Sequence, residues 1–90
     1  MKEQKQNNPF SEIENTNSSF LILHNDDKNT FDFVINLLID ICEHDEIQAE
    51  QCALITHHKG QCDIKKGEFT ILSQMKNLLS EKGLSVTINS

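Results

Sequence analysis

The run Phe20-Leu21-Ile22-Leu23-His24 is almost wholly apolar and stops abruptly at Asn25-Asp26-Asp27, three turn formers in succession. A short apolar run closed by such residues reads as a buried strand that ends in a loop. A helical pattern follows at once. Val34, Leu37, Leu38 and Ile41 repeat at 3.6-residue spacing, with Phe31 and Ile35 widening the stripe, while Asp32, Asn36, Asp40 and Glu43 fall on the wet side. Asn29 stands where it can cap this first helix, and Asp32 can answer from the third helical position.

Asp45 opens a second helix in the same manner, with Gln48 at its third position and Gly60 as a left-handed exit. Ala49, Cys52, Ala53 and Thr56 share one face of it, and these small side chains let a neighbouring helix or a ligand come close to the backbone. Gln61 to Ile64 reads as a weak strand and Lys65-Lys66-Gly67 as a turn. Phe69, Leu72, Met75, Leu78 and Leu79 then mark a third helix, with Lys82 near its C-terminal end and Gly83 beyond. Leu84, Val86 and Ile88 alternate with Ser85, Thr87 and Asn89 as a last, half-buried strand. The order is β-α-α-β-α-β, an α+β sandwich with three helices on one face of a small antiparallel three-stranded sheet.

Residues 1–19 are rich in Asn, Gln, Glu, Lys and Ser, with Phe10 and Ile13 as the sizeable hydrophobes after Met1. Such a composition does not repay the entropy of ordering, so this stretch is expected to be a flexible arm, with a short helical turn around Ser11–Glu14 as its one candidate element. The folded domain then spans 20–90. A chain of 90 residues has room for one core.

Charge narrows the function. All eight basic residues are Lys, against 14 Asp and Glu, for a net charge of −6. The side chain best suited to bidentate phosphate and guanine contacts is missing, which disfavours nucleic acid. No apolar stretch approaches the ~20 residues that span a bilayer, and the polar start lacks the apolar centre of a secretory signal. The expected location is the cytoplasm. Cys42, Cys52 and Cys62, an odd set with no C-x-x-C pair, fit free thiols in a reducing compartment, and their even ten-residue spacing suggests no mechanism.

Two clusters have chemical potential. His24-Asn25-Asp26-Asp27 gathers an amide and two carboxylates in one loop; such residues commonly serve as solvated turns or caps, but converging on a partly dry pocket they suit the three donors of an ammonium group. His57 and His58 end the second helix, where the dipole favours a protonated ring. Four residues beyond Ala53, His57 shares the small-residue face, and His58 points elsewhere toward solvent. No C-x-x-C or H-E-x-x-H spacing supports a metal, no glycine-rich loop supports phosphate binding, and no local motif supports a Cys-His nucleophile. Neither a cofactor nor catalysis is expected.

Residues 20–88 resemble ClpS, the adaptor family of the ATP-dependent Clp protease that delivers N-degron substrates to a AAA+ unfoldase. The resemblance is carried by Leu21-Ile22-Leu23-His24-Asn25-Asp26-Asp27, by Asn29-Thr30-Phe31-Asp32-Phe33-Val34, by Ala49 with His57-His58-Lys59-Gly60, and by Leu84-Ser85-Val86-Thr87-Ile88. It implies a fold like the C-terminal domain of the ribosomal stalk protein. It further implies that Asn25, Asp26 and His57 bind the free α-amine of a substrate's first residue, that Asp27 and Asn29 orient its first peptide unit, and that Phe31, Val34, Ala53, Thr56 and Leu84 line a pocket for its bulky apolar side chain. The expected partners are N-degron proteins and a Clp-family unfoldase, which the arm would engage during delivery; Glu68 approximates the family's unfoldase-contacting Glu at the start of the third helix.

This chain departs from the family pattern at Asn29, Thr30, Phe31 and Ala53, where Thr, Pro, Met and Met are usual. At the two Met positions one side chain gains ring bulk and the other shrinks to a methyl, which alters the pocket's shape. The resemblance implies that the methionine usual at the Ala53 position acts as a gatekeeper against β-branched first residues, so a more permissive or differently shaped pocket is expected here. The alternative is the same fold as a protein-interaction module without a working pocket; Phe31 collapsing the hollow would favour it. A metal or thiol enzyme ranks last.

Overall fold

The computed structural model describes residues 18–89; the expected arm, with its helical turn at 11–14, lies outside them up to residue 17. The last two residues assigned to that arm, Ser18 and Ser19, are strand residues paired with Glu68 and Gly67, so the domain starts at 18 and not at 20. The strand β1 spans Ser18–His24, α1 Phe31–Cys42, α2 Glu46–Lys59, β2 Gln61–Glu68, α3 Phe69–Glu81 and β3 Ser85–Asn89. β1 lies in the middle of an antiparallel sheet of order β2-β1-β3. That position explains its apolar run: Leu21, Ile22 and Leu23 are all buried, with Leu21 and Leu23 in the same cluster as Leu38, Cys42, Leu72 and Leu79 from the helices.

Capping follows local chemistry with one correction. The Asp45 side chain accepts from the Gln48 N–H at 2.7 Å, and Gly60 closes α2 at φ 93°, both as the sequence suggests. At α1, however, the cap is Thr30, whose hydroxyl accepts from the Phe33 N–H at 3.1 Å. Asn29 sits one residue too early and its amide is engaged elsewhere, so Asp32 occupies the second helical position and no capping box forms.

β2 is the larger departure. Lys65, Lys66 and Gly67 do not turn; they continue the strand, with Lys65 opposite Leu21, Lys66 opposite Phe20 and Gly67 opposite Ser19. The register slips between Leu21–Lys65 and Ile22–Asp63, leaving Ile64 as the extra residue of a bulge with its side chain in the core. Two long-range contacts hold the α1–α2 corner onto this bulge. His44, itself buried, donates from Nε2 to the Ile64 carbonyl at 2.6 Å, and Lys65 Nζ donates to the Cys42 carbonyl at 3.1 Å. Ladder bonds with β1 and these contacts outweigh the turn preference of a Lys-Lys-Gly sequence.

α3 covers the sheet with Leu72 and Leu79 fully buried and Met75 partly so, but Phe69 and Leu78, counted in its apolar stripe, stand exposed. Phe31 likewise leaves the core stripe of α1 and is 44% exposed, on the edge of the site described next.

Candidate functional site

The apolar strand, the acidic turn and two helix ends meet around one cavity of about 350 Å³. Asn25, Asp26, Asp27 and Asn29 approach it from the turn after β1; Phe31 and Val34 from the first turns of α1; Ala53, Thr56 and His57 from α2. The junction is built by the backbone: Asn25 N–H donates to the Gly60 carbonyl at 2.9 Å, which draws the acidic turn against the C-terminal end of α2. Nine of the ten residues assigned to the site from sequence thus border the same space. Leu84 does not. It is buried in the core immediately before β3, its N–H donating to the Leu79 carbonyl at 3.1 Å, so its side chain serves packing and is absent from the cavity lining.

The polar wall is arranged around Asp26. Its Oδ1 accepts from the backbone N–H of Lys28 at 2.9 Å, the backbone N–H of Asn29 at 3.0 Å and Asn29 Nδ2 at 3.1 Å; Oδ2 accepts from Asn29 Nδ2 at 3.0 Å. Partial burial raises the carboxyl's pKa, but these donors, Lys28 N–H foremost, outweigh it and hold the group below its ordinary 3.8. Asp26 is therefore ionised at neutral pH. The N-terminal end of α1 supports negative charge at the turn, and the C-terminal carbonyls of α2 add a partial negative charge to the cavity's opposite side.

The other wall is apolar and small. Ala53 is buried, and Thr56, also buried, donates its hydroxyl to the Cys52 carbonyl at 2.8 Å, spending its one donor inside the helix. The rings of Phe31 and His57 meet edge to face with centroids 5.4 Å apart, so the aromatic rim and the polar group are in direct contact. His58 packs its ring against His57 at 5.2 Å and is exposed, on the solvent side as expected. Leu23, His24 and Thr30 also line the cavity, unassigned from the sequence. Adjacency to Asn25 and Phe31 was the available signal for His24 and Thr30; the His24 ring pairs with the Thr87 hydroxyl of β3 at 2.7 Å.

A cavity that joins an ionised carboxylate, an amide and an imidazole to an apolar hollow is equipped to hold a cation attached to a hydrophobic group. The family described as "ATP-dependent Clp protease adaptor protein ClpS" matches residues 14–87 of this sequence.

The chain belongs to the ClpS family.

That family is one of adaptor proteins, not of enzymes. Among curated proteins, the ATP-dependent Clp protease adapter protein ClpS of Shewanella piezotolerans (strain WP3 / JCM 13877) is 41% identical over 51 residues, 57% of this chain and 50% of that protein. The match thus spans about half the length of that relative. Among solved structures, Agrobacterium tumefaciens ClpS2 bound to L-phenylalaninamide superposes with a TM-score of 0.71 at 22% identity, covering 81% of this chain and 95% of that one. This likeness bears out the β-α-α-β-α-β sandwich read from the sequence.

Among the described residues no group of three or more His, Cys, Asp or Glu side chains is placed to hold a metal ion. The cysteines are free; burial pushes the Cys42 thiol up to about 11, and burial with the neighbouring Cys52 and Asp63 pushes Cys62 up to about 12, the reverse of an activated nucleophile. Cys62 Sγ donates to the Asp63 carbonyl at 3.5 Å. No helix among the described residues is long and apolar enough to cross a membrane. Glu68 precedes α3 as its cap residue, exposed and without a side-chain capping bond.

Proposed function

We propose that this protein binds the free α-ammonium group and bulky apolar first side chain of N-degron substrates and hands them to a Clp-family AAA+ unfoldase. The observation that carries the reading is the meeting of Asn25, Asp26 and His57 with Phe31, Val34 and Ala53 around one cavity. Asp26 supplies the charge, the Asn25 amide oxygen and a His57 ring nitrogen supply further acceptors, and the cavity volume suits an amino-acid side chain. Asp27 and Asn29 border the path by which the following peptide unit would leave. An amino terminus with pKa ~7.7–8.0 is mostly charged at pH 7, and an internal peptide bond is not, so the carboxylate selects chain ends. Burying a Phe or Leu side chain adds ~1.5–3 kcal/mol before ordering costs, which selects among them.

Phe31 borders the cavity without filling it, which supports a working receptor over an interaction module with a collapsed pocket. Free thiols at Cys42, Cys52 and Cys62 fit a reducing cytoplasm. Residues 1–17, which precede β1, would be the part engaged by the unfoldase, with Glu68 at its docking face.

Calorimetric titration of the full chain with L-phenylalaninamide and with N-acetyl-L-phenylalaninamide tests the reading. The free amine is expected to bind and the acetylated compound, equal in its aromatic ring but uncharged, to bind at least about tenfold more weakly. Equal affinity for the two would refute amine recognition.

A further inference from the structure

Asp26 has to be aimed as well as charged, and one side chain is placed to do this. Asn29 carries two amide hydrogens. Its Nδ2 lies 3.1 Å and 3.0 Å from the two oxygens of Asp26 and 3.0 Å from the carbonyl of Gly83, which is 54 residues away in the α3–β3 turn. The reversed amide would press an oxygen against three acceptor oxygens, so the orientation is fixed by the surrounding chemistry. Gly83 itself ends the α3 exit at φ 99°, in the left-handed region, and its N–H donates to the Ser80 carbonyl at 3.0 Å. The α3–β3 turn on one side and the acidic loop on the other are thus tied through a single amide.

We infer that Asn29 is a positioning residue, whose side-chain amide fastens the Asp26 carboxylate to the Gly83 carbonyl and so leaves Oδ2 aimed into the cavity for the ligand's ammonium group. The part about the ligand rests on the receptor reading above; the fastening of Asp26 does not. Asn29 consequently does more than border the path of a bound peptide, because it acts through Asp26. It is also a task that a shorter hydroxyl side chain could perform on only one of the two sides, since a single O–H cannot donate to Asp26 and Gly83 together. The isosteric Asp would place an acceptor and a second negative charge where both partners need a donor.

Two measurements decide the proposal. In the ligand-free protein, NMR titration of the Asp26 side-chain carboxyl follows its protonation directly; the Lys28 charge also acts on it, and Asp27, His24 and His57 line the same cavity, so their signals are followed in the same series. Asn29→Ala and Asn29→Asp are both expected to move the Asp26 midpoint upward, Asn29→Asp the more. In calorimetry with L-phenylalaninamide, Asn29→Ala is expected to weaken binding by about tenfold in the wild-type background and by less than about twofold when Asp26 is already Asn. An Asp26 midpoint unmoved by both variants overturns the proposal. So does an equal loss in the two backgrounds, which would mark Asn29 as a general structural residue. If the unaltered protein fails to bind L-phenylalaninamide at all, the receptor reading and the ligand half of the proposal fall, and the ligand-free titration alone decides whether Asn29 fastens Asp26.

Discussion

Replacing Asp26 with Asn removes one charge while conserving shape. In the folded protein Oδ1 already accepts three N–H donors, whereas among the described residues Oδ2 accepts from Asn29 Nδ2 alone. An ionised carboxylate has about four acceptor positions, so Oδ2 is the atom with capacity for an incoming ammonium. Losing that charge-assisted bond is worth about 1.5–3 kcal/mol, or about tenfold to a hundredfold in Kd. The fold should survive, because the turn lies outside the core and the Asn oxygen still accepts from the Lys28 and Asn29 N–H groups; circular dichroism checks this. Titration calorimetry with L-phenylalaninamide reads the loss.

The pH profile sharpens the test. The folded carboxyl is held below 3.8, so its charge is present throughout the neutral range and disappears only as pH falls through that depressed value. At the other end, affinity declines as the ligand amine loses its proton, near ~8 for an ordinary α-amine. Asp26→Asn should remove the part of the acid limb that falls in the carboxylate range, leaving any that His57 protonation contributes, and keep the alkaline limb. A variant that binds within about twofold of wild type, with both limbs intact, would refute the assignment of Asp26 as the charged partner.

Further outcomes follow from other parts of the structure. With Ala53 buried in the cavity wall, peptides beginning with Ile or Val are expected to bind within about tenfold of the Leu peptide, since the ΔΔG for one misplaced methyl in an open apolar pocket is about 1 kcal/mol; strong rejection of both in a competition assay would defeat the relaxed-pocket reading. Cys42 and Cys62 should resist alkylation at pH 7 and label faster as pH rises, followed by mass spectrometry. Their folded values lie above the ordinary 9.0, so the stability they confer is complete below pH 9 and is lost as pH climbs toward about 11 and about 12. Glu43 ends α1 at φ 63°, a left-handed conformation that favours glycine, and Glu43→Gly is expected to raise stability by about 0.5–1 kcal/mol in urea denaturation; a decrease would show that the Glu side chain contributes more than its backbone costs.

Much of this protein is decided within a few residues along the chain. The apolar run that ends at Asn25-Asp26-Asp27 forms β1, and the stripe around Leu37 and Leu38 forms α1. Asp45, Gln48 and Gly60 set the ends of α2 because a cap bonds to an N–H three residues on and a left-handed exit needs no partner. The small face Ala49, Cys52, Ala53 and Thr56 is buried as its spacing predicts. The candidate site was legible only in part for that reason: the acidic turn after β1 and His57 near the end of α2 stand beside locally specified elements, while the grouping of Asn25, Asp26 and His57 into one receptor came from the family resemblance.

Tertiary structure decided the rest. Lys65-Lys66-Gly67 has the local chemistry of a turn, yet pairing with β1 and the anchoring of Lys65 and His44 across the bulge extend it as strand. The family resemblance puts Leu84 in the pocket wall, but its place beside Leu79 commits it to the core. Asn29 has every local qualification of a helix cap, and Thr30 holds that position instead, because the Asn29 amide finds Asp26 beside it and Gly83 across the molecule. Sequence fixes what a side chain is able to donate; only the folded chain fixes which acceptor stands within reach.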